Sequence, residues 1–384
     1  MKLRPLFIFW GLWFVNFSTR TVFAPLLPLI EDSLSLSHGQ AGGLFTSLAF
    51  GYGISLFFAG RFASVWGYRK TVVTGFVGIA AAVFLLQWAK NYIALHGICF
   101  LTGVALGTYL PSIIPIITET YDQKHWGKAL GLHDSAASFS LFTTPLLVAF
   151  GLHFFSWRSL LLFLGIASLL LPIYFWKIAV EPKKPLSRER GHYIDLFRKK
   201  TVWTLGTLWI VANGSCTGVF SILPLYLVKE RGIDFDYANT LLGVSRSGGI
   251  LATIVFGFLS DRYGYRKILK MCIFATGLGT IGIALVHNLP LFVILLTFQA
   301  IVSLGFFPAA FAAVSKLTSP MERAMVTGVI LAFGVVFGTG FTPFLLGTIA
   351  DHYNFQVGIL GVGIVTTLSS LLVGLLKKTE EAQT

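Results

Sequence analysis

Apolar residues run along this chain in long blocks, and polar residues come in short breaks between them. Helices that cross a bilayer need roughly 20 consecutive apolar residues. The sequence holds twelve such runs, near residues 6–30, 41–62, 71–89, 93–118, 127–151, 157–177, 202–227, 238–259, 268–287, 291–315, 324–349 and 355–376. Several are rich in glycine and β-branched residues, which in water would favour strands. In lipid the backbone has to satisfy its own hydrogen bonds, so helices are expected. None of the runs shows the short in-out alternation of a membrane barrel. The one long polar break, IAVEPKKPLSRERGHYIDLFRKKT at 178–201, divides six runs from six. It reads as a solvated linker with a piece lying on an anionic membrane face. The pattern predicts an all-α integral membrane protein: twelve transmembrane helices in two six-helix bundles, residues 1–177 and 202–384, joined by the linker 178–201.

Composition agrees. Of 384 residues, 55% are hydrophobic and only 12% are charged, where soluble domains carry about 25%. The net charge of +13 could signal nucleic acid, but the basic residues are scattered between apolar runs rather than gathered in a patch. Their distribution instead sets topology. With both termini cytoplasmic, 23 of the 29 Lys and Arg residues lie on the cytoplasmic side, as the positive-inside rule requires. Outside loops keep only Lys90, Arg158, Lys229 and Arg231, while Arg20 and Arg246 fall inside spans. Trp88, Trp157, Trp176 and Trp203 stand near span ends, as interfacial anchors do. MKLRP leads straight into an apolar run without an A-x-A-like cleavage site, which predicts a first spanning helix rather than a signal peptide. The cysteines Cys99, Cys216 and Cys272 lie in apolar segments without metal or disulfide spacing, so no metal site is expected. The expected location is the inner or plasma membrane.

The halves repeat. Residues 60–70 read GRFASVWGYRK and residues 257–267 read GFLSDRYGYRK. At that same offset Gly51 meets Gly248, Pro111 meets Pro308 and Gly131 meets Gly328. One offset held across four spans implies duplicated halves in parallel orientation. Transporters built this way bind substrate near the midplane, between the repeats.

The stretch GFLSDRYGYRK, between spans eight and nine, resembles the signature loop of the major facilitator superfamily, G-x-L-x-D-R-x-G-R-K. It keeps Gly257, Leu259, Asp261, Arg262, Gly264, Arg266 and Lys267. The copy after span two keeps Gly60, Gly67, Arg69 and Lys70 but has Ser64 and Val65 in place of the acid and base. ITETYDQKHWGKALG after span four and SWRSLL opening span six are further likenesses. The resemblance covers the whole chain. It implies that spans one, two, four, five, seven, eight, ten and eleven line a cavity, and that the signature loops act as cytoplasmic latches. Glu119 resembles the acid that ends span four in such proteins, with Arg69 as its expected partner. The bland alternative is that these loops only set topology and folding.

Ionisable groups deep in a membrane cost several kcal/mol unless paired or wetted, so they are functional candidates. Arg20 lies about 15 residues into span one, roughly 22 Å at 1.5 Å per residue. It either binds substrate or pairs with Asp134. Arg246 lies near the middle of span eight, and its counterpart in the first half is Ala49. It serves substrate or coupling, or forms a structural pair. Asp134, preceded by His133, is the acid clearly inside a span. It either exchanges a coupling proton, with His133, or neutralises Arg20. Two arginines against one aspartate leave positive charge, which suits carboxylate or phosphate. An antiporter-like pattern in span five reads Gly131, Ser140, Thr144, Pro145. The proline survives and two glycines do not, and Cys99 stands where the resemblance would place an arginine. Both departures weigh against drug/proton antiport.

No nucleotide-binding loop or catalytic motif is present, so neither an enzyme nor a cofactor is expected. The sequence therefore predicts a monomeric secondary transporter that moves a small organic anion with protons and has no nucleic-acid partner. Efflux of lipophilic compounds is the alternative, and a non-cycling membrane sensor the more remote one.

Overall fold

The structure, a computed structural model, describes residues 3–182 and 196–376. Most of the linker 178–201 and the last eight residues fall outside the described residues. Among those described, eleven helices are long and apolar enough to cross a membrane: Leu3–Leu34, His38–Trp66, Tyr68–Trp88, Tyr92–Thr120, Gln123–Leu152, Trp157–Ile178, Lys200–Glu230, Tyr265–Leu285, Leu289–Leu317, Met325–His352 and Phe355–Leu375. The remaining predicted span, the eighth, is two shorter helices, Phe235–Val244 and Gly249–Tyr263, joined by turns through Ser245, Arg246, Ser247 and Gly248. The twelve apolar runs are thus eleven membrane-long helical spans and one split into two shorter helices.

Other spans bend where the sequence predicts only apolar helix. Span one is interrupted at Val22, between Leu3–Thr21 and Phe23–Leu34. Span seven has π turns at Gly214–Gly218 and Tyr226–Glu230, and span eleven has one at Gly334–Gly340. Such wide turns leave carbonyls and small side chains free to face other partners. In spans seven and eleven the first π turn of one packs on that of the other, because Gly214 and Gly218 let Gly338 and Thr342 approach.

The repeat is visible in the hinges. Gly67 has φ 111° and Gly264 has φ 86°. Each ends one helix and starts the next, with ψ 138° and 139°, in a region of backbone space that is essentially glycine's own and costs other residues about 1–3 kcal/mol. A Cβ added at Gly264 would meet no atom within 4 Å. Gly264→Ala should therefore carry the backbone cost alone, lowering the melting temperature of the purified protein by a few degrees. Gly264→Asn should fare no better, because asparagine is favoured at positive φ only with ψ about 45°, whereas Gly264 has ψ 139°. An unchanged melting temperature in Gly264→Ala would mean that the loop does not depend on its positive-φ glycine.

The two halves join at the end of the molecule away from the chain termini. There Asp351, at the end of span eleven, receives hydrogen bonds from Ser37 Oγ (2.8 Å) and from the backbone N–H groups of His38 (2.8 Å) and Gly39 (2.9 Å). This carboxylate caps the first turn of span two, where the helix dipole and unpaired N–H groups favour an anion. Lys229 pairs with Asp32, His153 with Asp236 at 3.3 Å, and Asn239 donates to the Pro25 carbonyl (3.3 Å). Deeper in, Thr46 donates to the Gly340 carbonyl (2.9 Å). Spans two and eleven touch backbone to backbone, since a Cβ at Gly42 would fall on the Pro343 carbonyl and one at Gly347 on that of His38. Around the hinge loops 60–70 and 257–267, no hydrogen bond or ion pair crosses between halves among the described residues.

Candidate functional site

The interruptions in spans one, seven and eleven meet at one place. Arg20 and Thr21 of span one, Phe45, Leu48 and Ala49 of span two and Leu141 of span five face Thr217, Phe220 and Ser221 of span seven and Val335 and Thr339 of span eleven. The pocket between them measures about 20 Å³, room for roughly one water-sized group. Anything larger requires the halves to part. The repeat places Arg20 and Thr217 at equivalent positions, so the pocket lies on the pseudo-symmetry axis with its charge on one side.

The Arg20 guanidinium stands over the rings of Phe17 (4.8 Å) and Tyr52 (5.3 Å). No carboxylate lies within 4 Å of it among the described residues, so the alternative of an Arg20–Asp134 ion pair is not realised. Beside it, hydroxyls bridge spans one and five: Ser18 to Ser140 at 2.9 Å, Ser140 to Thr144 at 3.2 Å, and Thr144 to Ser18 at 3.2 Å. Ser140 and Thr144 are the residues that replace glycines of the antiporter pattern, and here they knit the two spans together. Across the pocket, Thr217 and Thr339 hydroxyls lie 2.6 Å apart.

Asp134 has an exposed side chain yet stands near Trp13 of span one and Tyr52 of span two. Both neighbours belong to its own half, and Asp134 is not one of the residues that line the pocket between the halves. His133, only 3% exposed, points elsewhere. Its ring packs against those of Trp13 (5.7 Å) and Tyr109 (5.8 Å), which are themselves 5.5 Å apart, so the three rings form a triangle. Tyr109 donates to the Phe9 carbonyl at 2.9 Å, so its oxygen accepts from His133 Nε2 at 3.0 Å. The two neighbours in sequence thus serve different surroundings.

Arg246 sits in the break of span eight and is 3% exposed. It donates to the Cys216 carbonyl (2.9 Å) in the π turn of span seven and toward Cys216 Sγ (3.6 Å). Its guanidinium covers the Phe220 ring at 4.8 Å, and Nε has no partner. Phe220 is a pocket wall, so Arg246 is separated from Arg20's pocket by that ring.

At the terminal end the expected Arg69–Glu119 pair is not formed. Glu119 is exposed at the end of span four. The hinge instead recruits Glu181, just beyond span six, which accepts from the N–H groups of Tyr68 (2.6 Å) and Arg69 (3.1 Å). Arg69 lies over Trp176 at 4.4 Å and bonds its carbonyl. The first loop lacks the acid of the signature, and the orphan N–H groups of span three attract Glu181 in its place. In the second loop, Asp261 has no ion pair among the described residues. Arg262 and Lys267 flank Tyr263 (5.4 Å each) and Arg266 lies 6.0 Å from Tyr265. Gly60 and Lys70 lie on the corresponding first-half segment. Sequence reasoning missed Tyr52, Phe220, Thr217 and Glu181, none of which stands out without the fold.

The sequence profile of the Major Facilitator Superfamily matches residues 9–250 and 214–384. An uncharacterized MFS-type transporter of Bacillus subtilis (strain 168) is 25% identical over 397 residues, covering 99% of this chain and 98% of that one. The sialic acid transporter of Escherichia coli (strain K12) is 25% identical over 404 residues, covering 97% and 93%. A solved bacterial homolog to the human lysosomal transporter Spinster, in an inward-facing and occupied conformation, shares the fold with a TM-score of 0.83 at 16% identity, covering 98% and 97%. With the duplicated halves, the hinge loops and a charged pocket between them, these matches identify the chain as an integral membrane transporter, not an enzyme, and a member of the Major Facilitator Superfamily.

Proposed function

We propose that the protein moves a small organic anion across the plasma membrane by alternating access, with proton coupling and with both termini cytoplasmic. The observation that carries this reading is Arg20, a guanidinium in the pocket between the halves with no carboxylate within 4 Å among the described residues. A desolvated guanidinium without a counter-ion is a ready partner for a carboxylate or phosphate, and its planar fork favours two parallel bonds. A carboxylated sugar, such as that named for the sialic acid transporter, is a substrate of that class.

Asp134 is exposed and is the carboxylate that exchanges the coupling proton, while His133 holds its segment of span five against Trp13 and Tyr109. Arg246 becomes a second anion contact when Phe220 turns aside. Residues 1–177 and 202–384 rock as two bodies about the pocket, with 178–201 as their tether. Gly60, Gly67, Arg69, Lys70, Gly257, Asp261, Arg262, Gly264, Arg266 and Lys267 form the latches that meet when the terminal end closes, and Glu119 faces them. The protein works as a monomer.

The test is a thermal-shift screen of the purified protein with carboxylated sugars, dicarboxylates, neutral sugars and lipophilic cations, followed by counterflow in vesicles with any hit. Ligand at 100 times its Kd stabilises the native state by about 2.7 kcal/mol. The expected result is stabilisation by anions and counterflow of the same compounds. Stabilisation by cations alone would overturn the anion reading in favour of efflux. Anion binding without counterflow would point to a sensor.

A further inference from the structure

The indole of Trp13 is an unexplained feature of the first span. It is 3% exposed, and its Nε1–H has no hydrogen-bond partner. Buried donors without partners are rare, because desolvating them costs free energy that nothing returns. The ring itself is held firmly. It stacks on Tyr109 at 5.5 Å and 12°, on His133 at 5.7 Å and 13°, and meets Phe17 edge to face at 5.4 Å. So fixed against His133, the indole lies beside the turn of span five that carries Asp134, and its N–H closes no hydrogen bond there.

A protonated carboxyl has little need of such a donor, whereas a carboxylate is stabilised by every N–H it accepts. Trp13, Phe17 and Arg20 also lie one turn apart on one face of span one, and Phe17 is the ring beneath the Arg20 guanidinium. An anion that draws Arg20 shifts the same stretch of helix that carries Trp13, next to the interruption at Val22.

Resting on the reading of Asp134 as the proton carrier, we propose that Trp13 is a positioning residue for proton coupling: its indole N–H closes a hydrogen bond onto Asp134 when that carboxyl is ionised and opens when it is protonated. Span one thereby links occupancy of the Arg20 pocket to the charge of Asp134. The other titratable or charged groups about Asp134 are Arg20 from span one, Tyr52 from span two, Tyr109 from span four and His133 on its own span; Arg246 lies on span eight, which packs against span five. Of these, Arg246 keeps an unused donor, its Nε, but its guanidinium is held on the Cys216 carbonyl and the Phe220 ring.

The test is an infrared pH titration of the purified full-length protein, without substrate. The Asp134 carboxyl band is identified by its loss in Asp134→Asn. Trp13→Phe keeps an aromatic ring in the stack and removes the N–H. It should move the midpoint of that band at least half a unit to the alkaline side, about threefold in proton affinity. Tyr109→Phe, which alters the same stack away from the acid, should leave the midpoint in place. An unmoved midpoint in Trp13→Phe, or an equal shift in both variants, overturns the proposal while leaving Asp134 as proton carrier. Absence of any titrating band lost in Asp134→Asn overturns the underlying reading as well. If Trp13→Phe does not fold, the indole N–H Raman band of the unmutated protein is followed through the same titration. The band should move with Asp134 and stay still in Asp134→Asn, and a band that never moves overturns the proposal.

Discussion

Arg20→Gln is expected to abolish transport of the anion identified by the screen, lowering transport efficiency on the order of 100-fold, near 3 kcal/mol at 1.4 kcal/mol per tenfold. The reasoning is electrostatic and local. Hydrogen bonds to charged partners contribute about 1.5–3 kcal/mol each, and the guanidinium offers two in parallel. Glutamine keeps polarity but loses the charge and the reach of the guanidinium. Arg20→Lys keeps the charge and loses the fork, so an intermediate loss of about tenfold is expected. Neither variant should greatly reduce folding, because Arg20 has no ion pair to break among the described residues and rests on the rings of Phe17 and Tyr52. Arg246→Gln should differ. It unties the guanidinium from the Cys216 carbonyl, so its loss of transport should come with a lower melting temperature. Initial uptake rates and melting curves for the three variants decide the matter. Equal transport in Arg20→Gln and the unmutated protein would remove Arg20 from the substrate site.

Much of this was legible in the sequence because bilayers impose strict rules. A run of apolar residues has to be a helix there, and a repeat at constant offset has to be two similar bundles. The hinge glycines were readable for the same reason, since few residues tolerate φ values of 111° or 86°. The interruptions were less legible. Span eight reads as one apolar run, but burying Arg246 calls for backbone partners, and the turns at Ser245–Gly248 swing its side chain onto the Cys216 carbonyl. The π turns of spans seven and eleven depend on glycines meeting across two helices far apart in sequence, which no local pattern encodes. The first latch misled most. Its acid is replaced by Ser64, and Glu181, over a hundred residues away, reaches the N–H groups left vacant. Similarly, His133 and Asp134 look like a functional pair in sequence. Successive helix positions lie about 100° apart, and the structure turns one into an aromatic cluster and leaves the other exposed.

Gly42→Leu is expected to stop transport by a different route, holding open the end at which the halves now meet. Spans two and eleven close there through glycines. A side chain at position 42 would occupy the place of the Pro343 carbonyl, and the reciprocal contact brings the His38 carbonyl onto Gly347. Backbone on both sides leaves nothing flexible to yield. Leucine should therefore force the spans apart by more than a hydrogen bond can bridge, and the contacts of Asp351 with Ser37, His38 and Gly39 should break with them. The buried cluster of the first half takes in Phe220 and Leu346 of the second, but a further cluster around Leu208, Trp209 and Phe306 belongs to the second half alone, so the protein should still fold at some cost in melting temperature. Asp351→Asn tests the same closure more gently. It retains an acceptor but removes the charge that strengthens three hydrogen bonds at a helix start, and should open this end by about three- to tenfold. The measurement is labelling of a cysteine introduced at the pocket wall, Ser221→Cys, in a background with Cys99, Cys216 and Cys272 replaced. A membrane-impermeant thiol reagent is added from the side opposite the termini. The parent should react slowly, Asp351→Asn faster and Gly42→Leu fastest, with transport falling in the same order. Unchanged labelling in Gly42→Leu would mean that this end opens and closes without the glycine contact, and that closure of the pocket rests on span five against span eight instead.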